Sequence, residues 1–273
     1  MTQPSPARHD RPSDSVLRAF AVDGAPRPLP GGQGTAWLAG DLVLKPGGGA
    51  VHEWLATAIE DLDVTGIRVA APVRTVSGSW LSSGWSANRW VEGREPDYSQ
   101  PSTWLAIIEA GRAFHEAVAH LERPDCLGER VDPWALADRA AWGEREIRFR
   151  PEFREVARRL EEAVGPLGAS QVVHGDLTGN VLLGPDLPAV IDISPYWRPP
   201  EYAEGIVLAD ALTWHGASTR LLQRAHVSAA AVARGLLFRM ATSNERLDAG
   251  QATGVDVGAE ARRYSCAAAA LGA

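Results

Sequence analysis

Apolar positions along this chain repeat with two different periods, and the change between them divides it. From about Val16 to Val91, short apolar runs alternate with Gly, Pro and Asp, the pattern of strands and turns. Phe20-Ala21-Val22 reads as a short strand and residues 29–35, with Gly31, Gly32 and Gly34, as a glycine-rich turn. Residues 36–38 and 42–45 read as a hairpin about Gly40-Asp41. Apolar residues at 51, 54, 55, 58, 59 and 62 have the spacing of an amphipathic helix. Strands are expected near residues 70–73, 80–81 and 85–91, followed by a connector over 92–97. From Thr103 the period turns helical, over 103–121, 134–148, 153–164, 206–222 and 228–243, with an Ala-rich tail. The Pro-rich stretch 195–201 is expected to run over the surface. The fold class predicted is α+β, with a disordered lead-in (1–15), a small β-rich N-lobe (16–92) and a larger, mainly helical C-lobe (93–273).

One segment interrupts the helical half: QVVHGDLTGNVLLGPDLPAVIDISP, residues 171–195. Val172-Val173 run into His174-Gly175-Asp176, and Asn180 follows four residues later. Val181-Leu182-Leu183 reads as a strand, Gly184-Pro185-Asp186 as a turn, and Ala189-Val190-Ile191 as a strand ending in Asp192. Two carboxylates and a carboxamide thus sit at strand ends and loops. A carboxylate to accept a hydroxyl proton, with Asn and Asp as oxygen ligands for Mg²⁺, is what phosphoryl transfer from a nucleotide needs. Each Asp or Asn alone also reads as a turn-former; all three in this order, between apolar strands, do not. His174 reads as a structural support whose ring holds the loop. Asp210, in the apolar setting Ile206-Val207-Leu208-Ala209, needs partners if buried, and is expected to brace the 174–176 backbone.

The N-lobe offers the complementary parts. Glycines such as Gly32 and Gly34 let backbone N–H groups approach phosphates, although such a cluster also serves as a plain turn. Lys45 ends an apolar strand and is the chain's only lysine, the rest of its Lys and Arg residues being arginines. Glu53, in the first turn of the following helix, is placed to orient it through an ion pair, with Glu60 as rival.

Composition narrows the rest. The chain has 273 residues, 45% hydrophobic and 22% charged, ordinary for a globular protein. A net charge of −7 argues against nucleic acid as a partner. Two distant cysteines exclude a disulfide framework, and no apolar run reaches membrane-spanning length. A cytoplasmic protein without a membrane partner is expected.

HGDLTGN followed by VIDIS resembles the aminoglycoside phosphotransferase family, whose members share the two-lobed protein-kinase-like fold. The resemblance runs in order from the glycine-rich loop through the Lys45 strand, the Glu53 helix, the WVEG connector and the HGD loop to the second Asp. It implies Asp176 as catalytic base, Asn180 and Asp192 as Mg²⁺ ligands and Lys45 as a phosphate contact. The connector residues Asn88, Trp90 and Val91 would offer backbone hydrogen bonds to the base of ATP or GTP. The reaction implied moves a γ-phosphoryl group to a hydroxyl of a small-molecule acceptor such as a sugar, amino sugar or antibiotic-like compound. The loop from Asp176 to Asn180 is one residue shorter than the usual pattern, and Ile193-Ser194-Pro195 replaces the usual continuation. These departures keep open a catalytically impaired pseudokinase acting as an interaction module. A metal-dependent hydrolase with His174, Asp176 and Asp192 as ligands is the third reading.

Overall fold

A computed structural model describes residues 11–30, 34–184, 186–252 and 254–273. In chain order these form α1 (Asp14–Ala19), β1 (Arg27–Pro28), β2 (Trp37–Ala39), β3 (Leu42–Pro46), α2 (Ala50–Ile59), β4 (Arg68–Val69) and β5 (Trp85–Arg89). There follow α3 (Pro101–Ala117), a 3-10 turn at Asp125–Leu127, α4 (Pro133–Ala141), α5 (Pro151–Ala163), β6 (Gln171–His174), β7 (Val181–Leu182) and β8 (Ala189–Val190). The chain ends with β9 (Pro195–Arg198), α6 (Pro200–Trp214), α7 (Arg220–Ala225), α8 (Ala229–Asp248) and α9 (Val257–Ala270). The architecture is α+β. It divides into two compact units, one comprising the chain up to Arg94 together with Leu182–Asp192, the other Glu95–Val181 together with Ile193–Ala273.

In the first unit β1-β2-β3-β5 form an antiparallel sheet, with Trp37 opposite Leu44 and Leu44 opposite Ala87. The β2–β3 turn is the expected Gly40-Asp41, with Gly40 at φ +57°, a conformation glycine adopts without steric cost. Alternate residues Leu42 and Leu44 are buried and join Val16, Leu17, Phe20, Ala39 and Ala87 in one core. Phe20-Ala21-Val22 is not a strand. Ser13 caps a helix, its Oγ accepting from the Val16 N–H, and that helix ends at Phe20, so α1 begins inside the stretch expected to be a lead-in. Residues 80–81 form no strand either. β8 pairs in parallel with β4, Val69 opposite Val190, and β7 flanks it.

The second unit is built around α6 and α8. α6 is buried on nearly every side, as expected of a helix apolar all round, and α8 packs against α4, α5 and α6. Their crossing is backbone against backbone. A Cβ on Gly205 would stand 2.2 Å from the Ala231 carbonyl oxygen, and one on Gly235 would stand 2.6 Å from the Gly205 carbonyl. The single helix expected over 206–222 is two, α6 and α7, separated around Gly216 at φ +63°. The helix expected over 134–148 stops at Ala141, before Gly143 at φ +69°. The stretch 195–201 does not run over the surface. β9 pairs antiparallel with β6, Val173 opposite Tyr196, and Pro199 leads directly into α6. Glu155 pairs with Arg158 of the same helix, and Glu144 with Arg198 of β9.

No helix among the described residues is long and apolar enough to cross a membrane.

Gly235→Ala should destabilise the protein by about 1–3 kcal/mol, the range for overpacking a closed contact, because both obstructing groups are backbone. Thermal melting checks this; an unchanged melting temperature would show that the α6–α8 crossing tolerates a methyl group.

Candidate active site

The second unit gathers His174, Asp176, Asn180 and Asp210. β6 delivers His174 fully buried, and its Nδ1 accepts from the backbone N–H groups of Asp176 (3.2 Å) and Ser194 (3.3 Å). Accepting two N–H groups requires Nδ1 to be unprotonated, so a neutral ring carries its proton on Nε2. Gly175 donates to the Ser194 carbonyl (3.0 Å). Any side chain at Gly175 would meet the Tyr196 ring, with Cβ 2.5 Å from Cδ2. Leu177 is buried, facing Gly111 of α3. The loop is thereby fixed on both sides of Asp176.

Asn180 closes the loop. Its Nδ2 donates to the Asp176 carbonyl (2.7 Å) and to Asp176 Oδ2 (3.3 Å), leaving Oδ1 without a hydrogen bond among the described residues. Gly179, at φ +83°, donates its N–H to Tyr98 Oη (3.0 Å). The Tyr98 ring lies against Trp104 and His215, with centroids 5.1 and 4.7 Å away, and burial pushes its hydroxyl pKa up.

Asp176 keeps 40% of its side chain exposed, whereas Asp210 on α6 keeps 6%. The two are joined by Arg239 of α8. Arg239 Nε and Nη2 grip Asp210 Oδ1 and Oδ2 at 2.8 and 2.7 Å, and Nη2 also donates to Asp176 Oδ1 at 2.8 Å. Burial works against the guanidinium charge, but the two carboxylates outweigh it and hold the Arg239 pKa well above its ordinary value. Asp210 therefore acts on the loop through this guanidinium and the Asp176 side chain, not by bonding the 174–176 backbone as expected. Arg239, Tyr98 and His115 are absent from the sequence reading. For Arg239 a signal existed: a lone charge inside the apolar run Leu236-Leu237-Phe238-Arg239-Met240.

In the first unit Lys45 and Asp192 come together, Nζ to Oδ2 at 2.7 Å. Asp192 sits at φ +48°, a left-handed conformation that Asp tolerates better than most residues. Lys45 does not pair with Glu53. Glu53 is exposed on α2 and has no ion pair among the described residues, because α2 turns Leu55, Ala56 and Ile59 inward instead. The rival Glu60 is occupied by Arg74 through two bonds of 2.6 and 2.7 Å. Asn88 lies in β5 with its side chain on the Ala70 carbonyl (3.2 Å). The Trp90 N–H donates to the Asp41 carbonyl (2.7 Å). Of these connector residues, Val91 has a backbone N–H with no hydrogen bond among the described residues. Gly34 adopts φ +70°, while Gly31 and Gly32 lie outside the described residues.

Among the described residues no three His, Cys, Asp or Glu side chains are grouped to hold a metal. Asp192 in the first unit and Asn180 in the second each present an oxygen with no hydrogen bond among the described residues, a hard donor of the kind Mg²⁺ takes.

Residues 49–193 match the model of the phosphotransferase enzyme family. The chain belongs to that family. By that membership it is a phosphotransferase enzyme. The matched span contains Asp176, Asn180 and Asp192; Lys45 lies just before it. Among solved structures, an aminoglycoside phosphotransferase from Alicyclobacillus acidocaldarius superposes with TM-score 0.65 at 15% identity, covering 97% of this chain and 95% of that one. The choline kinase LicA from Streptococcus pneumoniae gives 0.59 at 14% identity, covering 94% and 96%. An amicoumacin kinase in complex with AMP-PNP and Ca²⁺ gives 0.60 at 14%, covering 89% and 88%. At these identities the likeness is one of fold. No curated protein was found to match the sequence.

His115 gives the loop a pH dependence. It lies on α3, fully buried, and its Nε2 accepts the His174 backbone N–H (3.0 Å). Burial first, and His174 second, push its pKa down from 6.5 to about 3. Between those values the unfolded chain binds a proton that the folded chain refuses. Stability should therefore fall as pH drops below 6.5, by about 1.4 kcal/mol per pH unit for one proton, with no loss from this group above 6.5. Melting curves from pH 7 to 5 should slope less in His115→Gln, whose amide oxygen keeps the acceptor without the titration. Equal slopes would contradict this account.

Proposed function

We propose that this phosphotransferase moves the γ-phosphoryl group of ATP or GTP to a hydroxyl of a small molecule, a sugar, amino sugar or antibiotic-like compound. The observation that carries the reading is the Lys45–Asp192 pair, a cation for phosphates and a hard-oxygen ligand held 2.7 Å apart. With 30% and 53% of their side chains exposed, such pairs contribute at most about 1 kcal/mol. Lys45 can therefore leave Asp192 for phosphate oxygens at small cost, freeing the carboxylate for a cation. Mg²⁺ held by Asp192 and Asn180 would offset charge developing on the phosphate oxygens. Gly34 and Val91 are the backbone positions proposed for the phosphates and the base. Asp176 orients the acceptor hydroxyl and takes its proton as the new O–P bond forms and the bond to the β–γ bridging oxygen breaks, releasing the nucleoside diphosphate. Glu53, exposed and with no ion pair among the described residues, does not orient Lys45 in this state.

Lys45 is the only lysine in the chain, so an acyl-phosphate derivative of ATP has one side-chain amine to modify. The label should appear on Lys45, be blocked by excess ATP, and stay on Lys45 in Asp176→Asn. Turnover of that variant should fall by about 100-fold or more, the scale of a lost general base, with nucleotide affinity within about twofold. Label elsewhere or nowhere would contradict the nucleotide site. Labelling without turnover on any hydroxyl acceptor in the wild-type protein would favour the pseudokinase alternative.

A further inference from the structure

Arg239 stands where stability alone gives no reason for it. Its neighbours Leu236, Leu237, Phe238, Met240 and Ala241 are all buried, and its own side chain is 15% exposed. Replacing a buried ion pair by well-packed apolar residues is often neutral or stabilising. Pairing with Asp210 therefore does not by itself account for a guanidinium here.

The arrangement of its bonds does. Two of the three satisfy Asp210, and the third is a shared Nη2 that reaches Asp176 Oδ1. The planar fork is rigid and is itself clamped by a buried carboxylate, so it fixes the plane of the Asp176 carboxylate. Among the described residues Oδ2 then has only the longer contact to the Asn180 amide, at 3.3 Å.

We propose that Arg239 is a positioning residue for phosphoryl transfer: braced by Asp210, it holds Asp176 Oδ1 so that Oδ2 is the atom that receives the acceptor's proton. This rests on the reading of Asp176 as the base. The α6–α8 contact through Gly205 and Gly235 sets the separation of Asp210 and Arg239, so the brace is built into the helix crossing. A lysine at 239 cannot replace it, since one ammonium lacks the planar fork that spans both carboxylates.

Three variants test the proposal: Arg239→Met, which leaves Asp210 stranded; the double variant Asp210→Leu with Arg239→Met, which removes the stranded charge; and Arg239→Lys. The readouts are Mg²⁺-dependent phosphate release from ATP with water as acceptor, nucleotide affinity, and the Asp176 rotamer in crystals. Arg239→Met alone should melt much earlier than wild type. The double variant should recover melting to within a few degrees and bind nucleotide within about twofold of wild type. It should still release phosphate about 100-fold more slowly, with Asp176 spread over several rotamers. Arg239→Lys should recover only part of the rate. A double variant with wild-type rate, or with Asp176 in its present rotamer, would overturn the proposal; where phosphate release is too slow to follow, the rotamer decides. Asp176→Asn retaining the wild-type rate, alongside rotamer loss in the double variant, would overturn the base reading and leave the brace standing.

Discussion

A buried guanidinium held by two carboxylates is the constraint on which the second unit of this protein depends. An Arg in an apolar helix costs several kcal/mol of desolvation unless its donors are matched. Here Asp210 matches two bonds from the facing helix and Asp176 a third. The match requires α6 and α8 to approach closer than side chains allow, and Gly205 and Gly235 permit that. On the other side of the loop, the His174 ring supplies an acceptor to two backbone N–H groups, and His115 supplies one to His174 itself. Low dielectric strengthens such bonds and penalises any left unmade. The loop therefore has little freedom, while the carboxylate it carries keeps 40% of its surface in water.

The Lys45–Asp192 pair has the opposite character. Its partners are partly solvated, and the attraction between them is weak enough to be exchanged for phosphate and cation. In the proposed reaction the buried network would hold the group that must not move, and the exposed pair the groups that rearrange when a ligand arrives. Exposure, more than distance, separates the two cases, since both contain contacts of 2.7 Å.

What the sequence disclosed follows from how local each feature is. The Gly40-Asp41 hairpin, the α2 periodicity and the strand–loop–strand pattern of 171–192 depend on neighbouring residues, and all are present. Phe20-Ala21-Val22 misled because three apolar residues suit a helix end as well as a strand, and Ser13 and Asp14 start a helix before them. Residues 195–201 misled because prolines suggested a surface path, whereas Pro195 begins an edge strand and Pro199 and Pro200 begin a helix, both positions that tolerate the missing N–H. The partner of Lys45 was misjudged because Asp192 lies far along the chain. Asp210 was correctly suspected of needing a partner, yet Arg239, nearly thirty residues on, could be joined to it only by tertiary packing. The family resemblance pointed to the HGD loop; it gave no sign of the Arg239 pair behind it.

The central claim is that Asp192 serves a cation and a nucleotide together, after giving up Lys45. Calorimetric titration of ATP and GTP into the wild-type protein and Asp192→Ala, each with and without Mg²⁺, tests it most directly. The account predicts nucleotide binding that strengthens at least tenfold with Mg²⁺ in the wild type and loses that dependence in the variant. Binding equally tight with and without Mg²⁺, or equally Mg²⁺-dependent in Asp192→Ala, would contradict it.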